Sequence, residues 1–466
     1  MTQPVQFTKL NQIVEKAAEY RDAQGEGVRD QVVSLIYNEA EKLACDVVTR
    51  PNQRTDWDRK IDNIITSRIF GYPLMLALLG AVFWITISGA NVPSQMLANL
   101  LFGIEDWLSS LFIRAGAPDW LHGLVVLGTY RGLAWVVSVM LPPMAIFFPI
   151  FTLLEDLGYL PRVAFNLDHA FKKVGAHGKQ ALTMSMGFGC NAAGVIAARI
   201  IDSPRERLIA ILTNNFVPCN GRFPSLIAIS MIFLAGGVFS AFGTLAASAL
   251  VVGMILVGIS VTLAVSWLLS RTLLQGEPSS FTLELPPYRK PQIIPVIIRS
   301  LLDRTAFVLA RAVIIAAPAG ALTWVFANIY IGDLSIVGHV AGWLDPFGRA
   351  IGLDGMIILA FILGLPANEI VVPIMVMGYL SAGSLLEFDS LIAFRQLLLA
   401  QNWTLLTALN FMLFSILHFP CGTTLLTIRK ETGSIKWTVL AAVIPTIIAI
   451  LVCFSITQGV RLLNLL

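Results

Sequence analysis

The chain separates into a polar head and a series of long apolar runs. Residues 28–48 (VRDQVVSLIYNEAEKLACDVV) place apolar side chains at helical spacing and predict an amphipathic helix, with Cys45 on its packing face. A polar, basic stretch, 50–68, leads into the first apolar run at 69–88. Further runs follow at 134–155, 207–235, 238–270, 305–329, 402–428 and 436–460, of the length that crosses a bilayer about 30 Å thick. The segment 92–113, with Glu105, Asp106 and Trp107, has mixed polarity and reads as interfacial. Pro142, Pro143 and Pro149 are expected to kink the second run. Two runs are broken in the middle, at VPCNG (217–221) and HFPCG (418–422). Two shorter segments, 180–203 and 356–380, carry GFGCN (187–191) and GLPAN (364–368) and read as hairpins that enter and return.

The breaks matter because hydrocarbon cannot satisfy opened backbone groups. Polar, helix-breaking sequence at membrane depth points to a protein-lined pathway. GFGCN and GLPAN share G-x-x-x-N at an offset of 177 residues, and a broken segment containing Pro-Cys follows each. A recurring pair of interrupted helices predicts a transport site between two repeats.

Composition and charge agree. The 466 residues are 56% hydrophobic and 13% charged, where soluble domains carry roughly 25% charged residues, so the chain is an all-α integral membrane protein. The first sixty residues lack the apolar core of a signal peptide. If the two hairpins do not cross, the basic loops at 156–179, 199–207, 271–304 and 429–436 share one side, which the positive-inside rule makes the cytoplasm. The N-terminus is then also cytoplasmic. This predicts about seven spanning helices and two re-entrant hairpins, one from each side, in an inverted repeat. The five cysteines show no paired spacing that would suggest a disulfide framework.

The stretches TDWDRKIDNIITSRIFGYPL (55–74), LLEDLGYLPRVAFNLD (153–168), GFGCNAAGVIAARI (187–200), RERLIAILTNNFVPCNGRFP (205–224) and FPCGTTLLTIRKETGSIKW (419–437) resemble the ferrous iron transport protein B (FeoB) family. The resemblance spans roughly 50–460. It implies two gate regions similar to those of concentrative nucleoside transporters, and Fe2+ as transported substrate across a bacterial or archaeal cytoplasmic (inner) membrane. It implies a small FeoA-like accessory protein as a partner and allows a homo-oligomer; nucleic acid is not an expected partner. The organisation becomes an N-terminal cytoplasmic helical segment (1–68), a first span with an interfacial helix (69–133), a first gate repeat (134–270), a cytoplasmic loop (271–304) and a second gate repeat (305–466). The sequence departs from the family twice. It contains no G-x-x-x-x-G-K-[ST] phosphate loop, so no GTP site is expected in this chain, and the expectation is a natural split with a separately encoded GTPase. The second gate reads ANEI, with Asn368 and Glu369, where the family commonly has A-K-E-V.

Thiolate, imidazole and carboxylate oxygen all suit ferrous iron. The metal candidates are Cys190, Cys219, Cys421 and Glu369; the cysteines sit at chain breaks, and an acidic residue in an apolar run is functional by default. Simple packing of the thiols, and a Glu369 partnered by Arg311, are the competing readings. Asn191, Asn220, Asn368, Met186 and His418 are pathway candidates; helix capping by the two repeat-related asparagines and a core position for His418 are the alternatives. No catalytic motif such as HExxH is present, so the chain reads as a transporter, not an enzyme. A gate-fold carrier of a nucleoside or other organic solute, and a non-transporting membrane anchor, remain the rival functions.

Overall fold

A computed structural model describes residue 16 and residues 28–47, 57–67, 69–234, 241–276, 292–385 and 391–463. The chain forms two units, 1–63 with 279–284, and 64–278 with 285–466. In the first, the described residues form helix α1 (Val28–Val47) and most of α2 (Trp57–Ile65). α1 occupies the predicted amphipathic segment; the side chain of Cys45 and the PPYRKP run (286–291) lie outside what is described.

The second unit opens with α3 (Gly71–Arg114), α4 (Asp119–Asp156, with a π-helical stretch at Gly123–Tyr130) and α5 (Tyr159–Lys173). The segment 92–113 continues the helix of the first span rather than forming a helix of its own. α3 runs unbroken for 44 residues, about 66 Å at 1.5 Å per residue. Glu105 misleads because its charge is answered internally: it is buried and accepts from Arg131 of α4, Nη2 to Oε1 2.6 Å. The helix that carries the second span likewise begins at Asp119, well before the predicted 134.

A hairpin follows, α6 (Gln180–Gly189) and α7 (Asn191–Ala197), then α8 (Pro204–Thr213), a break, α9 (Phe223–Leu234) and α10 (Ala241–Arg271). α8 begins where a capping box dictates: the Ser203 hydroxyl accepts from Glu206 N, with Pro204 at the first helical position. The remaining elements are α11 (Ile293–Arg299), α12 (Phe307–Asn328), a two-residue β-hairpin (Tyr330–Ile331 with Leu334–Ser335) and α13 (Ile336–Ala350). Next come α14 (Gly355–Leu363), α15 (Val371–Tyr379), α16 (Leu391–Ala400), α17 (Leu405–Leu417), α18 (Gly422–Thr432) and α19 (Ile435–Leu462).

The second half repeats the order of the first. α5 and α13 are amphipathic and fifteen residues each. Each precedes a hairpin, α6–α7 or α14–α15, whose arms pack against each other. A broken helix follows, α8–α9 or α17–α18, and then a long apolar helix, α10 or α19. α13 meets α14 at 111°, and Asp354 caps α14 by accepting from Ile357 N at 2.7 Å. Among the described residues six helices are long and apolar enough to cross a membrane, and the bent pair α13–α14 makes a seventh if counted as one span.

The two halves share one continuous hydrophobic core, in which Phe216, Leu226 and Ile229 pack with Phe361, Phe411 and Phe414. α4 and α12 approach so closely that a side chain on Gly320 would lie 2.4 Å from the Gly128 carbonyl oxygen. Such contacts between small residues are how helices associate where no hydrophobic force separates them from lipid.

Candidate functional site

Four interruptions of helix meet at one place. In the hairpins they fall at Cys190 (φ −155°, ψ 125°) and Ala367 (φ −153°, ψ 128°). These residues are 177 apart, the offset read from G-x-x-x-N, and their backbones agree within 3°. In the broken helices they fall at Cys219 (φ −79°, ψ 167°) and Cys421 (φ −60°, ψ 158°). Each extended residue ends one helical segment and sets the direction of the next. Pro218 and Pro420, which precede the two cysteines, cannot donate to a helical ladder and help keep the breaks open.

The four residues line one cavity of about 30 Å3, together with Asn191, Asn220, Gly221, Asn368, Glu369 and Thr423. Such a volume holds a water or two, or one ion with little hydration. α4 supplies Met140 and Met144, which share a helix face at i, i+4. Of the nine sequence candidates the cavity gathers seven: Cys190, Cys219, Cys421, Glu369, Asn191, Asn220 and Asn368. Met186 and His418 are not among its lining residues. Met186 is buried in an apolar cluster with Phe147 and Phe148. The His418 ring lies between Phe361 and Phe414, and its Nδ1 is 2.9 Å from the carbonyls of both Phe414 and Ser415.

Amides fasten the halves around this cavity. Asn368 Nδ2 donates to Cys219 Sγ across the halves (3.8 Å), and within the second half Gly422 N donates to Leu365 O (2.6 Å), tying the broken helix to its own hairpin. Asn215 Nδ2 donates to His418 O (2.5 Å). Within the first half, Asn214 Nδ2 donates to Asn191 O (3.0 Å), and Asn191, with its amide turned to match donors to acceptors, donates to Gly187 O and Val217 O. The N-cap positions belong to Cys190 and Ala367, so Asn191 and Asn368 stand one residue inside their helical segments. Asn191 therefore supports the hairpin turn from within, while Asn368 bridges to the other repeat.

Glu369 is half-buried, and among the described residues no ion pair holds it. The side chain of Arg311, its sequence-level alternative partner, lies outside what is described. The Glu369 carboxylate rests on Gly221, where an added Cβ would lie 2.0 Å from Oε1. Cys421 Sγ is 3.3 Å from Thr424 Oγ1. Among the described residues no three His, Cys, Asp or Glu side chains are already gathered tightly enough to hold a metal. The thiols and the carboxylate thus face a common space without closing on it.

One residue the sequence reading passed over is central. Arg222 is 1% exposed. Its Nη1 donates to Asn215 O and Ile416 O, both at 2.9 Å, and its Nη2 to Asn215 Oδ1 (3.1 Å) and Phe419 O (3.4 Å). It clasps the ends of both broken helices. The signal was available: an arginine inside the apolar run 207–235 carries the same insertion cost that singled out Glu369.

Comparison with known proteins bears on this geometry. Residues 137–233 and 309–435 match the family model described as "Gate: Nucleoside recognition", and 251–303 match "Ferrous iron transport protein B C terminus". A "Fe(2+) transporter FeoB" of Staphylococcus aureus (strain MSSA476) is 29% identical over 96% of this chain and 67% of its own length. The protein of that name from Methanocaldococcus jannaschii is 26% identical over 91% of this chain and 62% of its own. A "Fe(2+) transport protein A/Fe(2+) transporter FeoB fusion protein" of Porphyromonas gingivalis is 27% identical over 85% and 51% respectively. The chain therefore spans between half and about two thirds of these relatives.

Proposed function

We propose that this chain, which belongs to the ferrous iron transport protein B family and corresponds to its membrane part, carries Fe2+ across a bacterial or archaeal cytoplasmic membrane. The observation that carries this reading is the convergence of four chain breaks, from two repeats, on a cavity lined by Cys190, Cys219, Cys421 and Glu369. Soft thiols with one carboxylate match a borderline divalent ion. Asn191, Asn220 and Asn368 offer amide oxygens, and Met140 and Met144 thioethers, along the same path. A site that is lined rather than clenched suits an ion that must leave again. The cavity's 30 Å3 favours an ion over a nucleoside, since pockets for organic ligands run to roughly 300 Å3 or more.

In this reading the hairpins enter from opposite sides, and the basic loops with the N-terminus face the cytoplasm. The Porphyromonas relative's name joins a transport protein A to the transporter, which supports a FeoA-like partner for this chain. A GTPase that acts with this chain is also proposed; the sequence itself holds no phosphate-loop string. The test is anaerobic Fe2+ uptake into liposomes containing the purified chain, alone and with the candidate GTPase. Saturable uptake that liposomes without protein lack supports the proposal; no uptake in either condition rejects it. A cysteine placed at Lys430 and labelled only from the outer face would overturn the orientation.

A further inference from the structure

We propose that Arg222 is the fixed counter-charge of the cation site: it ties the two broken helices together and offsets the Glu369 carboxylate, so that a divalent ion binds loosely enough to pass. This inference rests on reading the cavity as a divalent-cation site.

The hydrogen bonds of Arg222 go to backbone carbonyls and an amide oxygen, with no carboxylate within bonding distance among the described residues. The acceptors Asn215 O and Ile416 O belong to the closing turns before the two breaks. Helix C-termini carry partial negative charge, which suits a guanidinium. These dipoles stabilise the cation without neutralising it, and Nε has no hydrogen-bond partner among the described residues. The next residue back is Gly221, on which the Glu369 carboxylate lies. The cavity therefore has one negative side chain at its wall, and the residue that follows the glycine under that carboxylate carries a buried positive charge, in surroundings where charges are weakly screened. A divalent ion entering meets attraction from Glu369 and repulsion from Arg222. Without that repulsion a carboxylate with three sulfurs would hold a borderline divalent ion as a resident metal rather than a passenger.

The guanidinium fork also explains why arginine is used. Its planar donors reach carbonyls from both repeats at once, which one ammonium does not match in geometry. Charge and clasp are thus separable by mutation. Arg222→Lys keeps the charge and loses the fork; Arg222→Gln and Arg222→Met lose the charge.

The probe is Co2+, whose thiolate charge-transfer absorbance reports binding at the cysteines, measured beside Fe2+ turnover in liposomes. In Arg222→Gln we expect Co2+ affinity to rise roughly tenfold or more while maximal Fe2+ flux falls. Arg222→Lys should keep affinity within about twofold of the parent, even where the melting temperature drops. Unchanged or weaker Co2+ binding in folded Arg222→Gln overturns the inference. Tightening in Arg222→Lys equal to that in Arg222→Gln also overturns it. Failure of both neutral variants to fold, with Arg222→Lys intact, would mean that the charge serves folding rather than ion release, and also overturns the inference. If the parent protein shows no cysteine-dependent Co2+ signal, the cation reading itself fails; a parent signal with no tightening in the neutral variants defeats this inference alone.

Discussion

The carboxylate of Glu369 occupies the space that a side chain on Gly221 would need. An ideal Cβ at 221 would stand 2.0 Å from Oε1 and 2.4 Å from Cδ. The two residues come from different repeats, so this contact fixes the second hairpin tip against the first broken helix. Gly221→Ala must push the carboxylate out of its place. We expect Fe2+ flux to fall by roughly tenfold or more, by analogy with the cost of displacing a reacting group by about 1 Å. Uptake within twofold of the parent would show that Glu369 has no fixed position to lose.

Glu369→Gln keeps the shape and removes the charge. If the carboxylate attracts the ion, half-saturation for Fe2+ should rise roughly tenfold or more, with the protein equally stable, because charge-assisted contacts contribute about 1.5–3 kcal/mol. Steady-state uptake against Fe2+ concentration measures it. An unchanged half-saturation with reduced maximal flux would place Glu369 in gating rather than in ion contact.

The site was legible in the sequence wherever chemistry and chain break coincide, and obscured where side-chain direction decides. Cys190, Cys219 and Cys421 occupy extended positions that turn toward the cavity. His418 is only three residues before Cys421, yet it ends α17 and its ring packs among phenylalanines. Met140 and Met144 escaped notice because a methionine in an apolar helix looks like any core residue until the packing of α4 is known. The continuous α3 was hidden by Glu105, whose partner Arg131 is 26 residues away and invisible to local pattern.

Thiol chemistry offers a direct test of the cavity. Simultaneous Cys190→Ser, Cys219→Ser and Cys421→Ser should lower Fe2+ uptake by at least roughly tenfold, since a neutral hydroxyl is a far poorer ligand for a borderline ion than sulfur. The fold should survive, because serine is slightly smaller and each site borders open space. Transport that persists within twofold would mean the cysteines merely pack. Cys453 is the control: it is buried in α19, its Sγ 3.6 Å from Asn410 O, and it does not line the cavity.

At the end of the first hairpin, Arg199 pairs with Glu431, 232 residues later, through two 2.7 Å hydrogen bonds, Nε to Oε2 and Nη2 to Oε1. The pair joins the turn that follows α7 to the last turn of α18, so it links one repeat's hairpin to the other's broken helix. Lys179 holds the same turn by donating to Ile200 O (2.9 Å) and Asp202 (3.0 Å). Its hydrogen bond and charge keep the Asp202 carboxyl below the usual carboxylate range, so this second tie outlasts mild acidification. Any opening of the cavity toward that end must separate α7 from α18, and the Arg199–Glu431 pair opposes it. Arg199 is 63% exposed, so solvent screening limits the pair to about 0.2–1 kcal/mol, or up to roughly fivefold in an open-to-closed ratio. Glu431→Gln should therefore raise the rate at which a water-soluble maleimide reaches Cys190 and Cys421 by up to about fivefold. The exchange Arg199→Glu with Glu431→Arg should bring the rate back toward that of the parent. Equal labelling rates in the single variant, the exchange and the parent would mean that the pair decorates the surface and bars nothing.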